Sequence, residues 1–481
     1  MSFDSLHFVL FFCIVLFVYW FSPSKYQWMI IMVSSLYFYM SWKPAFVVLI
    51  LFDAVVSWFF AKQIEKRKTW KWLLVIPLIV CLTILFIFKY LNFGITIINS
   101  IFELFSVNRS LDTFNHIILP VGISFYTFQV VGYLIDVYRG EIKAEKHFGK
   151  YLAFVMFFPQ LVAGPIERAS NLLPQIKEKH VFRYSDGTHG LKLMVWGYFK
   201  KLVVADTLAI YVDEVYNNLY THTGFSLLLA ALFFSFQIYC DFSGYSDIAR
   251  GSAQLLGIKL MNNFNCPYFA DSIKDFWSRW HISLSTWFRD YVYIPLGGNR
   301  KGLPRKCLNI SLTFLVSGIW HGSTFMFCIW GMLHALFQIA ETLFINKLKI
   351  HHYVKHILTL ICIAFAWIFF RLNTVHDIPL FFNNLFDKSW YSFEKLLVSF
   401  SGITFTTFNN MTPAFLLNVN VFISVLFLFA VSKIEIINEK HISEVIVLEK
   451  KMKRYIFDYA LIFLIFTTGV FDSTRFIYAA F

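Results

Sequence analysis

Apolar runs close to the length of a membrane span recur from one end of this chain to the other. On hydropathy alone the predicted spans are Leu6 to Phe21, Tyr26 to Met40, Phe46 to Ala61, Trp72 to Phe88, His116 to Val137, Leu191 to Val212, Phe225 to Tyr239, Leu308 to Trp320, Thr324 to Ile345, Val354 to Phe370, Ala414 to Val431 and Tyr455 to Val470. That is about ten to twelve helices, at the roughly 20 apolar residues that a hydrocarbon core requires. Other stretches are too short or too polar to cross simply. Tyr151 to Ala163 stops at Gly164-Pro165, Lys200-Lys201 interrupts the run from Leu191, and Asp241 to Asp247 (DFSGYSD) breaks the run from Phe225. Such backbone is tolerated at membrane depth only inside protein or beside a water-filled cavity. The pattern therefore predicts short re-entrant or amphipathic helices around a partly hydrated centre.

Composition agrees with this class. The chain is 58% hydrophobic, 20% aromatic and only 15% charged, which describes an all-α polytopic protein whose solvent is lipid. The first run is flanked by Asp4 and has neither a basic segment before it nor a small-residue cleavage site after it, so it reads as a retained span. The formal charge is +13, carried largely by Lys62 to Lys71, Arg139 to Lys150, Asn299 to Lys306, Asn346 to His356 and Lys433 to Arg454. Basic loops mark the cytoplasmic side. Counting spans back from Lys62 then puts the N-terminus outside, with the Asn92 to Asn115 loop also outside. The basic residues are dispersed among spans and form no aromatic-lined groove, which argues against nucleic-acid binding. Seven scattered cysteines show no CxxC pair, and neither a GxxxxGK[ST] nor a GxGxxG motif occurs, which excludes the usual ATP and dinucleotide cradles. Without repeats or a linker, the chain reads as one integral domain over residues 1–481, with N-terminal spans to 61, a core region over 116–345 and C-terminal spans from 354.

Two histidines stand out against this background. On a helix drawn from Asp275, Trp280, Leu284, Trp287 and Tyr291 form one apolar stripe, with His281 at its edge and Arg279, Thr286 and Asp290 on the polar side. His321 lies between Gly318 and Gly322 in a segment without charge from Leu308 to Ala340, where small residues let a backbone or a ligand approach. An ionisable residue inside a membrane is a functional candidate by default. Acyl transfer from a thioester to a hydroxyl needs a group that removes a proton, and neutral imidazole, with a reference pKa of about 6.5, suits that task. His321 fits the base. His281, or the Trp280 indole N–H, is then placed to hold the carbonyl oxygen. The basic stretches Asn299 to Lys306 and Arg168 to Lys179 match the phosphates of a nucleotide-linked donor. His334 reads as a packing residue, and Asp275 with Arg279 as a helix-supporting i,i+4 pair. Asp241, Asp247 and Arg250 read equally as cavity lining or as a buried ion-pair group. No HxxxH or HExxH supports a metal site.

Taken in order, Phe158-Pro159-Gln160-Leu161-Val162-Ala163-Gly164-Pro165-Ile166, Tyr239 to Asp247, FWSRWHISLSTWFRDYVYIPLGGNR, Trp320-His321-Gly322 and Gly331-Met332-Leu333-His334-Ala335 resemble the membrane-bound O-acyltransferases (MBOAT). Within that family the motifs are most like the alginate O-acetyltransferase branch, from about Leu6 to the C-terminus. The resemblance implies the MBOAT fold, a multi-helix funnel around a central tunnel, with His281 and His321 as the paired active-site histidines and His321 the catalytic one. It also implies acetyl-CoA as donor, no tightly bound cofactor, and a bacterial inner-membrane location among membrane lipids. The acceptor it implies is an exported polysaccharide hydroxyl or a partner extracytoplasmic acetyltransferase. Trp280, Trp320, Asp241, Asp247, Arg168 and Arg289 are the candidates for holding donor or substrate. The tail, Phe476 to Phe481, departs from the branch's aromatic ending by Ala479 and Ala480. The alternative reading of the residues is a transporter or a scaffold subunit of a polysaccharide export system, against which stands the lack of internal repeats.

Overall fold

The computed structural model describes residues 1–387, apart from 115, 116, 163, 346, 347, 349 and 350, together with residues 451–471. The predicted span Ala414 to Val431 and the tail from Phe476 lie outside the described residues. Every regular element among the described residues is helical. Five of these helices are long and apolar enough to cross a membrane: Pro44–Lys66, Trp72–Leu104, Phe225–Leu255, Phe325–Leu343 and His352–Arg371. Shorter apolar helices occupy Leu6–Phe21 and Tyr455–Thr468. The chain packs as two compact units, Met1–Leu191 with Ala249–Met261, and the described part of Lys192–Ile248 and Asn262–Ala480.

In the first unit, α1 (Leu6–Phe21) is capped by the Ser5 side chain, which accepts from Phe8 N. It is apolar on every side: Phe8, Phe12 and Val15 face protein, while Leu10, Ile14 and Phe17 are exposed. A helix apolar all round whose outer face is bare is built for lipid. α2 (Gln27–Met40) and α3 (Val47–Lys66) follow. α4 (Trp72–Leu85) continues through a π turn at Phe86–Tyr90 into α5 (Leu91–Leu104). The loop predicted from Asn92 is therefore helical over its first half, because the apolar repeat of Ile95, Ile98 and Ile101 outweighs the scattered Asn and Thr residues. α6 (Ile123–Arg139) is bounded by Gly122 and Gly140, both at positive φ, and is buried over nearly its whole length. Tyr151 to Ala163 is no span: it holds the end of α7 (Phe148–Val155) and α8 (Phe158–Leu161), buried in protein as irregular backbone at depth must be. α9 (Ala169–Lys177) follows the Gly164-Pro165 turn.

In the second unit the predicted breaks at Lys200-Lys201 and Asp241 to Asp247 turn out to be two halves of one buried contact. α10 (Tyr184–Tyr198) passes through a π-helical stretch, Phe199–Ala205, into α11 (Asp206–Asn217), and α12 (Phe225–Leu255) runs unbroken through DFSGYSD. Gly197 and Gly244 bring the two backbones together, since a Cβ at either would lie 2.6 to 2.8 Å from the other's carbonyl oxygen. Across that contact Lys200 pairs with Asp247 at 2.6 Å and Lys201 with Asp241 at 2.7 Å, while Lys201 also pairs with Asp206 of its own segment at 2.7 Å. The charges that look like interruptions thus neutralise one another, and the helices continue through them. α13 (Ile273–Arg279), α14 (Ile282–Phe288), α15 (Gly302–His321), α16 (Phe325–Leu343), α17 (His352–Arg371), α18 (Asp377–Leu385) and α19 (Lys451–Thr468) complete this unit.

Candidate active site

The single helix expected from Asp275 is cut in two, and the cut holds the candidate residue His281. α13 is capped by the Ser272 hydroxyl, which accepts from Asp275 N at 3.0 Å, and by the Glu341 carboxylate of α16, which accepts from Ile273 N at 2.8 Å. The expected Asp275–Arg279 pair forms at 3.0 Å. Trp280 is then extended, and His281 takes the left-handed conformation (φ 43, ψ 54) before α14 starts at Ile282. A non-glycine residue held there costs on the order of 1–3 kcal/mol and persists only where surroundings enforce it. Asn263 supplies the enforcement: its backbone carbonyl accepts from Ile282 N at 2.9 Å and its side-chain oxygen from Ser283 N at 3.3 Å. The break disperses the predicted stripe. Trp280 packs among Phe264, Phe276 and Trp367, whereas Trp287 meets Phe288 and Tyr291.

His281 is fully buried rather than at a helix edge. Its Nδ1–H donates to Asn263 Oδ1 at 3.1 Å, an oxygen that also accepts from Ser283 Oγ at 2.9 Å. The Asn263 amide in turn donates to Ser246 Oγ of α12 at 3.3 Å. With the proton held on Nδ1, Nε2 carries the lone pair. The Phe242 ring stands near-perpendicular with its centroid 4.6 Å from that of the imidazole, and burial lowers the imidazole to about 3, so it stays neutral at physiological pH.

His321 ends α15, boxed by Trp320 and Trp330, each 4.9 Å away and near-perpendicular, and by Phe370 at 5.6 Å. Gly318 and Gly331 make this box possible by seating α15 against α16. A Cβ on Gly318 would lie 2.3 Å from the Phe327 carbonyl oxygen, and one on Gly331 2.4 Å from that of Phe314. The glycines around His321 therefore admit a neighbouring helix. The Trp320 indole joins the two imidazoles, 6.1 Å from His281 and 4.9 Å from His321.

Beside this core a cavity of about 460 Å³ opens between α13, α14, α15 and α16, lined among others by Trp277, Phe314 and Ser317, with Lys274, Arg289 and Lys306 supplying positive charge. Ser317 stands one helical turn before His321. Of the remaining candidates, Arg289 lines this cavity and pairs with Asp290 at 2.8 Å. Asp241 and Asp247 belong to the lysine pairs described above, and Trp280 is sealed in the aromatic core. Arg168 precedes α9 at its N-cap position in the first unit, beside Glu167, whose carboxylate accepts from Asn171 Nδ2 and Met261 N. Among the described residues no cluster of His, Cys, Asp and Glu is arranged to hold a metal. Asn263 and Ser283 escaped the sequence reading because a single Asn in NNFN carries no motif; the one available hint was a polar residue in an otherwise apolar neighbourhood. Trp330 carried no signal of its own in the sequence.

The MBOAT, membrane-bound O-acyltransferase, family matches residues 144–376, a range that contains both histidines, the DFSGYSD segment and the cavity. The chain is 37% identical to "Probable alginate O-acetylase AlgI" of Pseudomonas putida, over 83% of each chain. It is 34% identical to "Peptidoglycan O-acetyltransferase" of Helicobacter pylori, over 73% of this chain and 71% of the other. Similarity to "Teichoic acid D-alanyltransferase" of Bacillus subtilis is 31% over 48% of this chain and 60% of that protein. The chain belongs to the membrane-bound O-acyltransferase family. It is a multi-pass membrane O-acyltransferase.

Proposed function

We propose that this protein moves an acetyl group from cytoplasmic acetyl-CoA across the bacterial inner membrane to an exported polysaccharide hydroxyl or to a partner extracytoplasmic acetyltransferase. The observation that carries the reading is the pair of buried imidazoles that both pack against the Trp320 indole. His321 removes the proton of the attacking hydroxyl; the new C–O bond forms, the thioester C–S bond breaks, and the proton passes to the departing thiolate. The aromatic box keeps water, the competing acceptor, away from the thioester. His281 in that tautomer offers an oxyanion no N–H at Nε2, so the carbonyl-holding role weighed for it passes to the Trp320 indole N–H, and His281, whose ring packs against that indole, serves to hold it in place.

Lys274, Arg289 and Lys306 around the cavity beside Ser317 provide the charge that the phosphates of coenzyme A require. The alginate and peptidoglycan acetylases among the relatives support an exported glycan as final acceptor. Orientation with the N-terminus outside rests on the basic loops. The deciding experiment incubates the purified protein with acetyl-labelled acetyl-CoA and follows both CoA release and the destination of the label, with alginate, peptidoglycan fragments and a partner acetyltransferase as acceptors. Absence of CoA release with every acceptor defeats the proposal.

A further inference from the structure

α16 presents one stripe to the site: Trp330 against His321, His334 one turn further, and Glu341 at the capped start of α13. His334 is fully buried among rings, with Trp330 at 5.0 Å, Phe314 at 6.0 Å and Trp367 at 6.3 Å. An aromatic hydrocarbon would fill that space without burying a polar ring, and the His334 Nε2 meets no acceptor among the described residues. What the histidine does supply is an acceptor: its Nδ1 takes the indole N–H of Trp277 at 3.2 Å.

Trp277 is the residue through which this bond reaches the chemistry. It lines the cavity beside Ser317, and its ring stands 5.7 Å from that of Trp330, which in turn lies 4.9 Å from His321. A single aromatic layer therefore separates the cavity wall from the reacting imidazole. An indole is flat, so the room it leaves depends on how it is turned, and the bond to His334 selects one orientation. We propose that His334 is a positioning residue which, by holding the Trp277 indole, sets the length of acyl group that the cavity delivers to His321. The inference rests on the reading of this cavity as the donor site.

The test uses the full-length protein in lipid nanodiscs and measures CoA release from acetyl-, propionyl- and butyryl-CoA. Five proteins are compared: wild type, Trp277→Phe, His334→Phe, the Trp277→Phe/His334→Phe double variant and His334→Asn. Wild type is expected to favour acetyl-CoA. Trp277→Phe and His334→Phe each lower the acetyl-over-butyryl ratio about tenfold, the scale of a methylene-sized change in a pocket, chiefly through KM for the longer donor. The double variant falls no further, because both changes remove one bond. His334→Asn keeps the wild-type ratio, its Oδ1 accepting the indole N–H in place of Nδ1. An unchanged ratio in Trp277→Phe, or an Asn variant that shifts the ratio as Phe does, overturns the inference. If His334→Phe does not fold, the Trp277→Phe and His334→Asn comparison decides alone. A wild type that releases no CoA from acetyl-CoA overturns the donor reading and this inference with it, whereas normal release with unmoved ratios overturns this inference only.

Discussion

Replacing Asn263 by leucine tests whether the geometry of His281, as distinct from its presence, matters for transfer. Asn263 is 1% exposed, and its Oδ1 is shared by His281 Nδ1, Ser283 N and Ser283 Oγ. Leucine matches the volume and deletes the acceptor. A hydrogen bond of this kind contributes about 0.5–1.5 kcal/mol, so its loss changes the preference for the Nδ1–H tautomer by up to about tenfold. The ring also loses the contact that fixes its direction in the left-handed turn. Together these effects are expected to lower kcat about 10- to 100-fold with little change in KM for the donor, since the altered group acts in the transition state. Leaving buried donors without an acceptor should also cost about 1–3 kcal/mol of stability. Asn263→Asp retains an accepting oxygen and is expected to recover most of the lost rate. The assay is initial-rate CoA release from detergent-purified protein, with gel filtration and thermal melting as folding controls. A folded Asn263→Leu protein with kcat within about twofold of wild type, or an Asp variant as impaired as the Leu variant, refutes the reasoning.

Four further outcomes are expected. His321→Ala should lose about 10²- to 10⁴-fold in transfer while remaining folded, and the His281→Ala/His321→Ala double should be hardly slower than His321→Ala alone; rates that multiply independently would separate the two residues. Lys201→Met leaves Asp206 and Asp241 facing each other in a buried site and should destabilise the protein by about 3–5 kcal/mol, with Asp206→Asn and Asp241→Asn restoring much of the loss, as read by thermal melting. Because burial lowers His281 from 6.5 to about 3, the unfolded chain binds this proton first, so its contribution to stability is complete above about 6.5 and is lost as pH falls toward 3. Between those limits the wild-type melting temperature should fall more steeply than that of His281→Phe, and parallel curves would contradict the assignment. A cysteine at Arg305 should label only after permeabilisation and one at Arg109 in intact cells; the reverse order inverts the orientation.

The all-helical membrane class, lipid exposure and the chemical class were legible in the chain because each is encoded locally. A run of apolar residues such as Leu6–Phe21 has one stable form in lipid, and the structure begins and ends that helix at the predicted residues. The two histidines stood out as candidates for a related reason, since a titratable ring among tryptophans and glycines conflicts with its surroundings in any fold. Local sequence failed where a partner distant in the chain decided the outcome. Lys200 and Lys201 looked like interruptions because two of the aspartates that neutralise them, Asp247 and Asp241, lie 40 or more residues away, on a helix whose own path looked broken by those same aspartates. His281 looked helical because the stripe of Trp280 and Trp287 continues across it, while the force that breaks the helix is a pair of acceptors on Asn263. The residues around His321 carry their own signal, but the tautomer of His281, the Trp320 bridge and the cavity wall at Trp277 exist only once α13, α14, α15 and α16 have packed. The sequence alone determined the solvent, the class and the candidate groups for chemistry; packing decided which atoms of those groups face one another, because hydrogen bonds and ring contacts between distant segments leave no periodic trace along the chain.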